Sequence, residues 1–123
     1  MLVPEILTCL GIGVLSGMVA ALCGVGGGVV MVPAFLLLLD MPQRQAVATS
    51  LAIIIPTALM ATVQNSRSEL VNWKVAAITA LSASLFAYYG AGWLKTLSNE
   101  TLSRVFGGIL VIFGLRMLLL GKA

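Results

Sequence analysis

The chain has 123 residues, of which 60% are hydrophobic and 9% are charged, and it contains no histidine. Its mean hydropathy is +1.11, whereas a soluble domain has about 25% charged residues, so the composition predicts a single-domain integral membrane protein covering residues 1–123. The net charge of +3 comes from seven scattered Lys and Arg residues, without the clustered basic and aromatic residues that nucleic-acid binding requires.

The first predicted element is an uncharged run, residues 6–39, that contains a glycine knot at residues 23–28 (CGVGGG) and then Pro33. As one helix, its 34 residues would extend about 50 Å, whereas the hydrocarbon core is about 30 Å thick. Glycine frees the backbone to turn and proline lacks the N–H of the helix hydrogen bond. The run is therefore predicted to break at the knot, either as a broken span or as a re-entrant hairpin. It lacks the basic start and cleavage site of a signal peptide, and we expect it to be retained.

Three further helices follow in the predicted order. We call the four apolar segments blocks, the first being residues 6–39. The second block covers 45–64, and Pro56 is expected to kink it. The third begins at Trp73, a residue type enriched at membrane interfaces, and continues to residue 94. The fourth covers about 101–120, with Ser98 or Asn99 as its N-cap. The predicted fold is an all-α membrane protein with about four transmembrane segments.

The first two blocks contain the polar groups of a candidate binding site. Transporters bind solutes at breaks in membrane helices, where irregular backbone lines protein or water. N–H groups freed at the knot, the positive end of the following helix and nearby hydroxyls would favour a small anion. The candidate substrate-binding residues are Cys23, Gly24, Gly26, Gly27, Gly28, Thr49, Ser50, Pro56 and Thr57.

Each of these residue types also has a purely structural interpretation. Hydroxyls in helices often bond back to the preceding turn of their own helix. Glycines allow close helix packing without any ligand. Cys23 is a weak S–H donor or, as the more common alternative, a small buried hydrophobe.

Ionisable side chains are absent from the apolar interior, apart from Arg116 near a helix end. A small proton-coupled multidrug exporter needs a carboxylate in mid-membrane. Glu5 precedes the first block and Asp40 follows it, so the sequence disfavours this class of exporter. Without histidine or a buried carboxylate, we expect no enzyme activity, catalytic residue, metal site or cofactor. Cys9 and Cys23 are 14 residues apart, which is neither a metal-ligand nor a redox-pair spacing, and no disulfide is expected.

A homodimer is predicted because the chain contains one copy of the knot, whereas many transporters bind substrate between two related repeats. Two rows of small residues are candidate helix contacts: Gly13, Gly17 and Ala21 form the first, and Ala83, Ala87 and Ala91 form the second. The first row is the stronger candidate.

The loop cations do not choose a membrane orientation for these helices. They fall on two sides, with Arg44, Lys95 and Arg104 on one and Arg67, Lys74, Arg116 and Lys122 on the other. Because the two sides are nearly balanced, the positive-inside rule gives no orientation and permits an antiparallel homodimer.

Four segments of the sequence resemble the sulfite exporter TauE/SafE family of membrane transporters. They are residues 16–18 (SGM), 24–33 (GVGGGVVMVP), 45–50 (QAVATS) and 71–73 (VNW). Usual members are about twice as long and carry two such repeats, so the chain resembles a single-repeat version. The resemblance implies transport of sulfur-containing or organic anions such as sulfite, sulfonates or thiosulfate.

Two functional hypotheses follow from the sequence. The first is a homodimeric anion transporter with alternating access, located as a multi-pass protein in the cell membrane, which is the inner membrane if the source is bacterial. The second is a non-transporting accessory or structural subunit that packs through its small-residue faces. Stable self-assembly with anion binding would favour the first.

Overall fold

A computed structural model describes residues 3–121, and these residues form five α-helices. The helices are α1 (Val3–Cys23), α2 (Gly28–Leu38), α3 (Gln43–Arg67), α4 (Trp73–Leu94) and α5 (Asn99–Leu120). Four of them, all except α2, are long and apolar enough to cross a membrane. The prediction of an all-helical membrane protein with about four transmembrane segments is confirmed. Lys122 lies outside the described residues.

Two helices occupy the apolar run 6–39. Helix α1 ends where Gly24 takes a positive φ of 71° and donates its N–H to the Ala20 carbonyl at 2.9 Å. Helix α2 begins after Gly27, which has a φ of 80°. Such left-handed positions favour glycine because a Cβ would crowd the following carbonyl. The interruption at residues 24–27 therefore follows from the local sequence.

Polar caps and turns set the ends of the later helices. Asn72 accepts a hydrogen bond from the Val75 N–H at 3.2 Å, and the Ser98 hydroxyl accepts one from the Thr101 N–H at 3.1 Å. Such N-caps satisfy amides that have no partner within the helix. The predicted start of a helix at Trp73 and the cap at Ser98 are confirmed. Pro56 lies inside α3, and the helix continues through this residue to Arg67.

The core is formed by α1, α2 and α3. Its buried residues are Ile12 from α1, Met31, Val32 and Phe35 from α2, and Ala46 from α3. Residue 27 lies beside Ser16 of α1, and residues later in α2 share a cluster with Ile12. Helix α2 thus runs back along α1, and α3 packs against both α2 and α1.

Helix α5 is attached to the N-terminal end of α3 by polar contacts. The Ser103 hydroxyl donates to Oε1 of the buried Gln43 at 3.1 Å, and the Arg44 N–H donates to Asn99 Oδ1 at 3.0 Å. Nη2 of Arg44 donates to the Leu97 carbonyl. These contacts bring the α2–α3 and α4–α5 loops to one end of the protein. Neither α4 nor α5 has a buried residue.

Candidate functional site

The glycine knot lies between α1 and the middle of α3. A Cβ atom on Gly27 would lie 2.9 Å from the Ser16 carbonyl oxygen, so this backbone approaches α1 more closely than any side chain would allow. On the other side, a Cβ on Gly26 would lie 3.3 Å from the Ile54 side chain. The α2 core residues that follow the knot stabilise this position, because they share one buried cluster with Ile12 and Ala46.

The knot leaves backbone donors without a partner. Within residues 3–121, the N–H groups of Val25, Gly26 and Gly27 donate no backbone hydrogen bond. Helix α2 starts directly after them, and its first N–H groups carry the positive end of the helix dipole. Successive free N–H groups next to a helix N-terminus favour an anion.

A cleft of about 410 Å³ opens beside the knot. One wall is the end of α1 with the knot itself, and the other is a face of α3. The lining residues are Ala20, Ala21, Gly24, Val25 and Gly26 on the first wall, and Ile54, Thr57, Ala58, Ala61, Thr62 and Asn65 on the second. All eleven are uncharged, so no carboxylate of the lining would repel an anion.

Three of the residues predicted from sequence line this cleft, namely Gly24, Gly26 and Thr57. The other predicted residues are not part of its lining: Cys23, Gly27, Gly28, Thr49, Ser50 and Pro56. Cys23 is an exposed free cysteine and Thr49 is half-buried. Three of the nine predicted residues thus bound the cleft, and the other six do not.

Two of the predicted hydroxyls bond to their own helix. The buried Ser50 hydroxyl donates to the Val47 carbonyl at 2.8 Å, and the Thr57 hydroxyl donates to the Ile53 carbonyl at 2.9 Å. These are the local bonds that the structural interpretation of the sequence anticipates. Because each hydroxyl has one proton, neither donates to a ligand in this arrangement.

The candidate residues predicted from sequence did not include Thr62 or Asn65. Both line the cleft, and in the described part of the chain their side chains donate no hydrogen bond. Asn65 belongs to a stripe along α3, since residues 54, 58, 61 and 65 recur every three or four positions and share one helix face, whereas Thr62 is outside this stripe. Among residues 3–121 no cluster of three metal-ligating side chains occurs.

Comparison with known proteins identifies the family. The model of the sulfite exporter TauE/SafE family matches residues 9–123. The chain belongs to this family. As a member of a family of membrane transporters with four helices able to span a membrane, it is a multi-pass membrane protein.

Curated relatives agree with this assignment. The chain is 31% identical over 102 residues to the probable membrane transporter protein YunE of Bacillus subtilis, a match that covers 83% of this chain and 37% of that protein. A probable membrane transporter protein of Haemophilus influenzae is 30% identical over 121 residues, covering 93% of this chain and 46% of that protein. One from Xylella fastidiosa is 32% identical over 107 residues, covering 81% and 39%. The chain therefore spans less than half the length of these relatives, and no solved structure matches it.

Proposed function

We propose that the chain is one repeat of a transporter for small sulfur-containing or organic anions, of the sulfite, sulfonate or thiosulfate class, and that the anion binds in the cleft beside the glycine knot. One observation carries this proposal: Val25 and Gly26 both line the cleft, and neither N–H donates a backbone hydrogen bond within residues 3–121. Free amides that line a cleft near a helix N-terminus are suited to oxyanions.

The cleft supplies further donors for such an anion. The Thr62 hydroxyl and the Asn65 amide lie on the α3 wall opposite the knot. With amides on one wall and side-chain donors on the other, an oxyanion would be bound from two sides. The lining has no fixed positive charge, so the bound anion is held by dipoles alone and can dissociate readily, as transport requires.

The depth of the knot supports a transport site. Ile54, which contacts the knot, is close to the midpoint of α3. If α3 spans the bilayer, the knot lies near the midplane, where transporters bind their substrates. Since α2 runs back along α1, we propose the hairpin alternative, with both ends of the α1–α2 pair on one side of the membrane, in preference to a broken span.

A second copy of the chain completes the transporter in this proposal. The curated relatives are more than twice as long as the matched region, and two repeats around a midplane site permit alternating access. Helices α4 and α5 have no buried residue, and a Cβ on Gly13 or Gly17 of α1 would meet nothing within 4 Å. These surfaces are available for a partner, and the nearly balanced cations permit an antiparallel arrangement.

A flux assay of the purified protein in liposomes tests the transport proposal. Sulfite, thiosulfate, a sulfonate and chloride are compared as substrates, with protein-free liposomes as the control. We expect flux of at least one sulfur oxyanion above chloride and above the control. Binding of these anions without flux would contradict transport by this chain but not the proposed binding site. The absence of both binding and flux would contradict the site.

The molar mass of the protein–detergent complex tests the homodimer separately. We expect the protein component to have twice the mass of the 12.8 kDa chain. A monomer that nevertheless transports would contradict the two-copy arrangement and leave the cleft assignment standing.

A further inference from the structure

A second cleft, distinct from the one beside the glycine knot, lies between α3 and α4 at the end of the protein where the α4–α5 loop meets α3. Its volume is about 600 Å³. Arg44, Lys95 and Asn99 contribute polar groups, and Ala48, Ala91 and Leu94 contribute apolar wall. The cleft therefore combines two cations with a hydrophobic surface. We call it the basic cleft.

The two cations of the basic cleft are not neutralised by the protein. In the part of the chain that the structure describes, neither Arg44 nor Lys95 forms an ion pair, whereas the nearby Arg104 is paired with Glu100 at 2.6 Å. Nη2 of Arg44 donates to the Leu97 carbonyl, but its buried Nε has no acceptor. The guanidinium thus brings an unpaired positive charge to the cleft, while its Nε is enclosed by protein, and such a charge is suited to a phosphate.

Aromatic residues place the basic cleft at the level of lipid headgroups. Trp93 is 72% exposed and lies two residues before Lys95, and Tyr89 nearby is 61% exposed. Trp and Tyr concentrate at the membrane–water interface. Trp73, at the other end of α4, is twenty positions from Trp93, a separation of about 30 Å that equals the hydrocarbon thickness.

We propose that the basic cleft binds an anionic phospholipid, with the headgroup phosphate at Arg44 and Lys95 and an acyl chain along Ala48, Ala91 and Leu94. Two unpaired cations favour a headgroup with net negative charge over a zwitterionic one. The apolar wall favours a lipid over a free anion, because a free anion would gain nothing from it.

Quenching of Trp93 fluorescence tests this proposal on the full chain. Trp93 adjoins the basic cleft, because it lines a neighbouring pocket that also contains Ala91 and Lys95 of the basic cleft. The substitution Trp73→Phe leaves Trp93 as the only tryptophan of the chain. This variant is reconstituted in phosphatidylcholine vesicles that contain either brominated phosphatidylglycerol or brominated phosphatidylcholine. We expect phosphatidylglycerol to quench Trp93 at a severalfold lower mole fraction.

Substitution of Lys95 identifies the cleft as the cause of the preference. Among residues 3–121 the Lys95 side chain makes no hydrogen bond or ion pair, so Lys95→Gln removes charge without removing a structural contact. We expect it to weaken the preference for phosphatidylglycerol about fivefold. The matched control Lys74→Gln, at the other end of α4, is expected to leave the preference unchanged.

Three results would overturn the proposal. The first is equal quenching by the two brominated lipids, and the second is equal loss of preference in the Lys95 and Lys74 variants. The third is displacement of brominated phosphatidylglycerol by millimolar inorganic phosphate or glycerol phosphate, since this would identify the basic cleft as a site for a free anion.

Discussion

A Cβ atom on Gly27 would lie 2.9 Å from the carbonyl oxygen of Ser16, so the backbone of residue 27 is in direct contact with the backbone of α1. Gly24, three residues earlier, has a similar positive φ but open space around it. The two glycines therefore separate the effect of backbone conformation from the effect of close packing.

Gly27→Ala is expected to destabilise the protein more than Gly24→Ala. A non-glycine residue in the left-handed region costs about 1–2 kcal/mol at either position, and the clash with Ser16 adds about 1–3 kcal/mol at residue 27 alone. Thermal unfolding in detergent measures the difference. Equal losses of stability in the two variants would contradict the close contact between the knot and α1.

Thr62→Val is expected to weaken sulfite binding by at least about tenfold, the effect of losing one hydrogen bond to a charged group, which is worth about 1.5 kcal/mol at the low end of its range. Valine keeps the shape of threonine, and the Thr62 hydroxyl makes no other hydrogen bond within residues 3–121. Isothermal titration of the purified protein measures the affinity.

Thr49→Val serves as the matched comparison, because Thr49 lies on the same helix outside the cleft lining. Its affinity for sulfite is expected to stay within about twofold of the unsubstituted protein. If Thr49→Val weakens binding and Thr62→Val does not, the anion lies on the face of α3 that the sequence first indicated.

Both ends of the α1–α2 hairpin are expected on one side of the membrane, because α2 runs back along α1. In a chain with Cys9→Ser and Cys23→Ser, the single variants Val3→Cys and Asp40→Cys should react with an impermeant maleimide from the same side. Ser68→Cys, after α3, should react from the opposite side. Labelling of Val3→Cys from the side of Ser68 would identify a broken span in place of the hairpin.

Ser103→Ala is expected to destabilise the contact between α3 and α5 by about 1–2 kcal/mol. The Ser103 hydroxyl donates to Oε1 of the buried Gln43 amide, and Nε2 of the same amide has no partner. The substitution therefore leaves the whole buried amide unsatisfied. Ser82→Ala is the control, because the exposed Ser82 hydroxyl bonds only to its own helix at Thr79. Unfolding of both variants in detergent gives the comparison, and equal stability would show that the Gln43 contact is not required.

The position of the glycine knot was predictable from sequence, but the lining of the cleft beside it was not. The knot was located because several glycines and a proline in an apolar run have a strong local effect on the backbone. Ser50 was also noted, yet its proton is used by Val47. Thr62 was missed because a single hydroxyl on a helix has no local signature, and only the packing of α3 beside the knot makes it part of the cleft.

The sequence by itself determined that this is an all-helical membrane protein, that α4 covers residues 73–94 and that the first apolar run is interrupted at the knot. These properties depend on composition, capping and the conformations allowed to glycine and proline, which act over a few residues. Only the tertiary structure decided that α2 runs back along α1, that Gly27 contacts Ser16 and that α3 faces the knot with Thr57, Thr62 and Asn65. These relationships depend on the packing of Ile12, Met31, Phe35 and Ala46, residues far apart in the chain that no local pattern brings together.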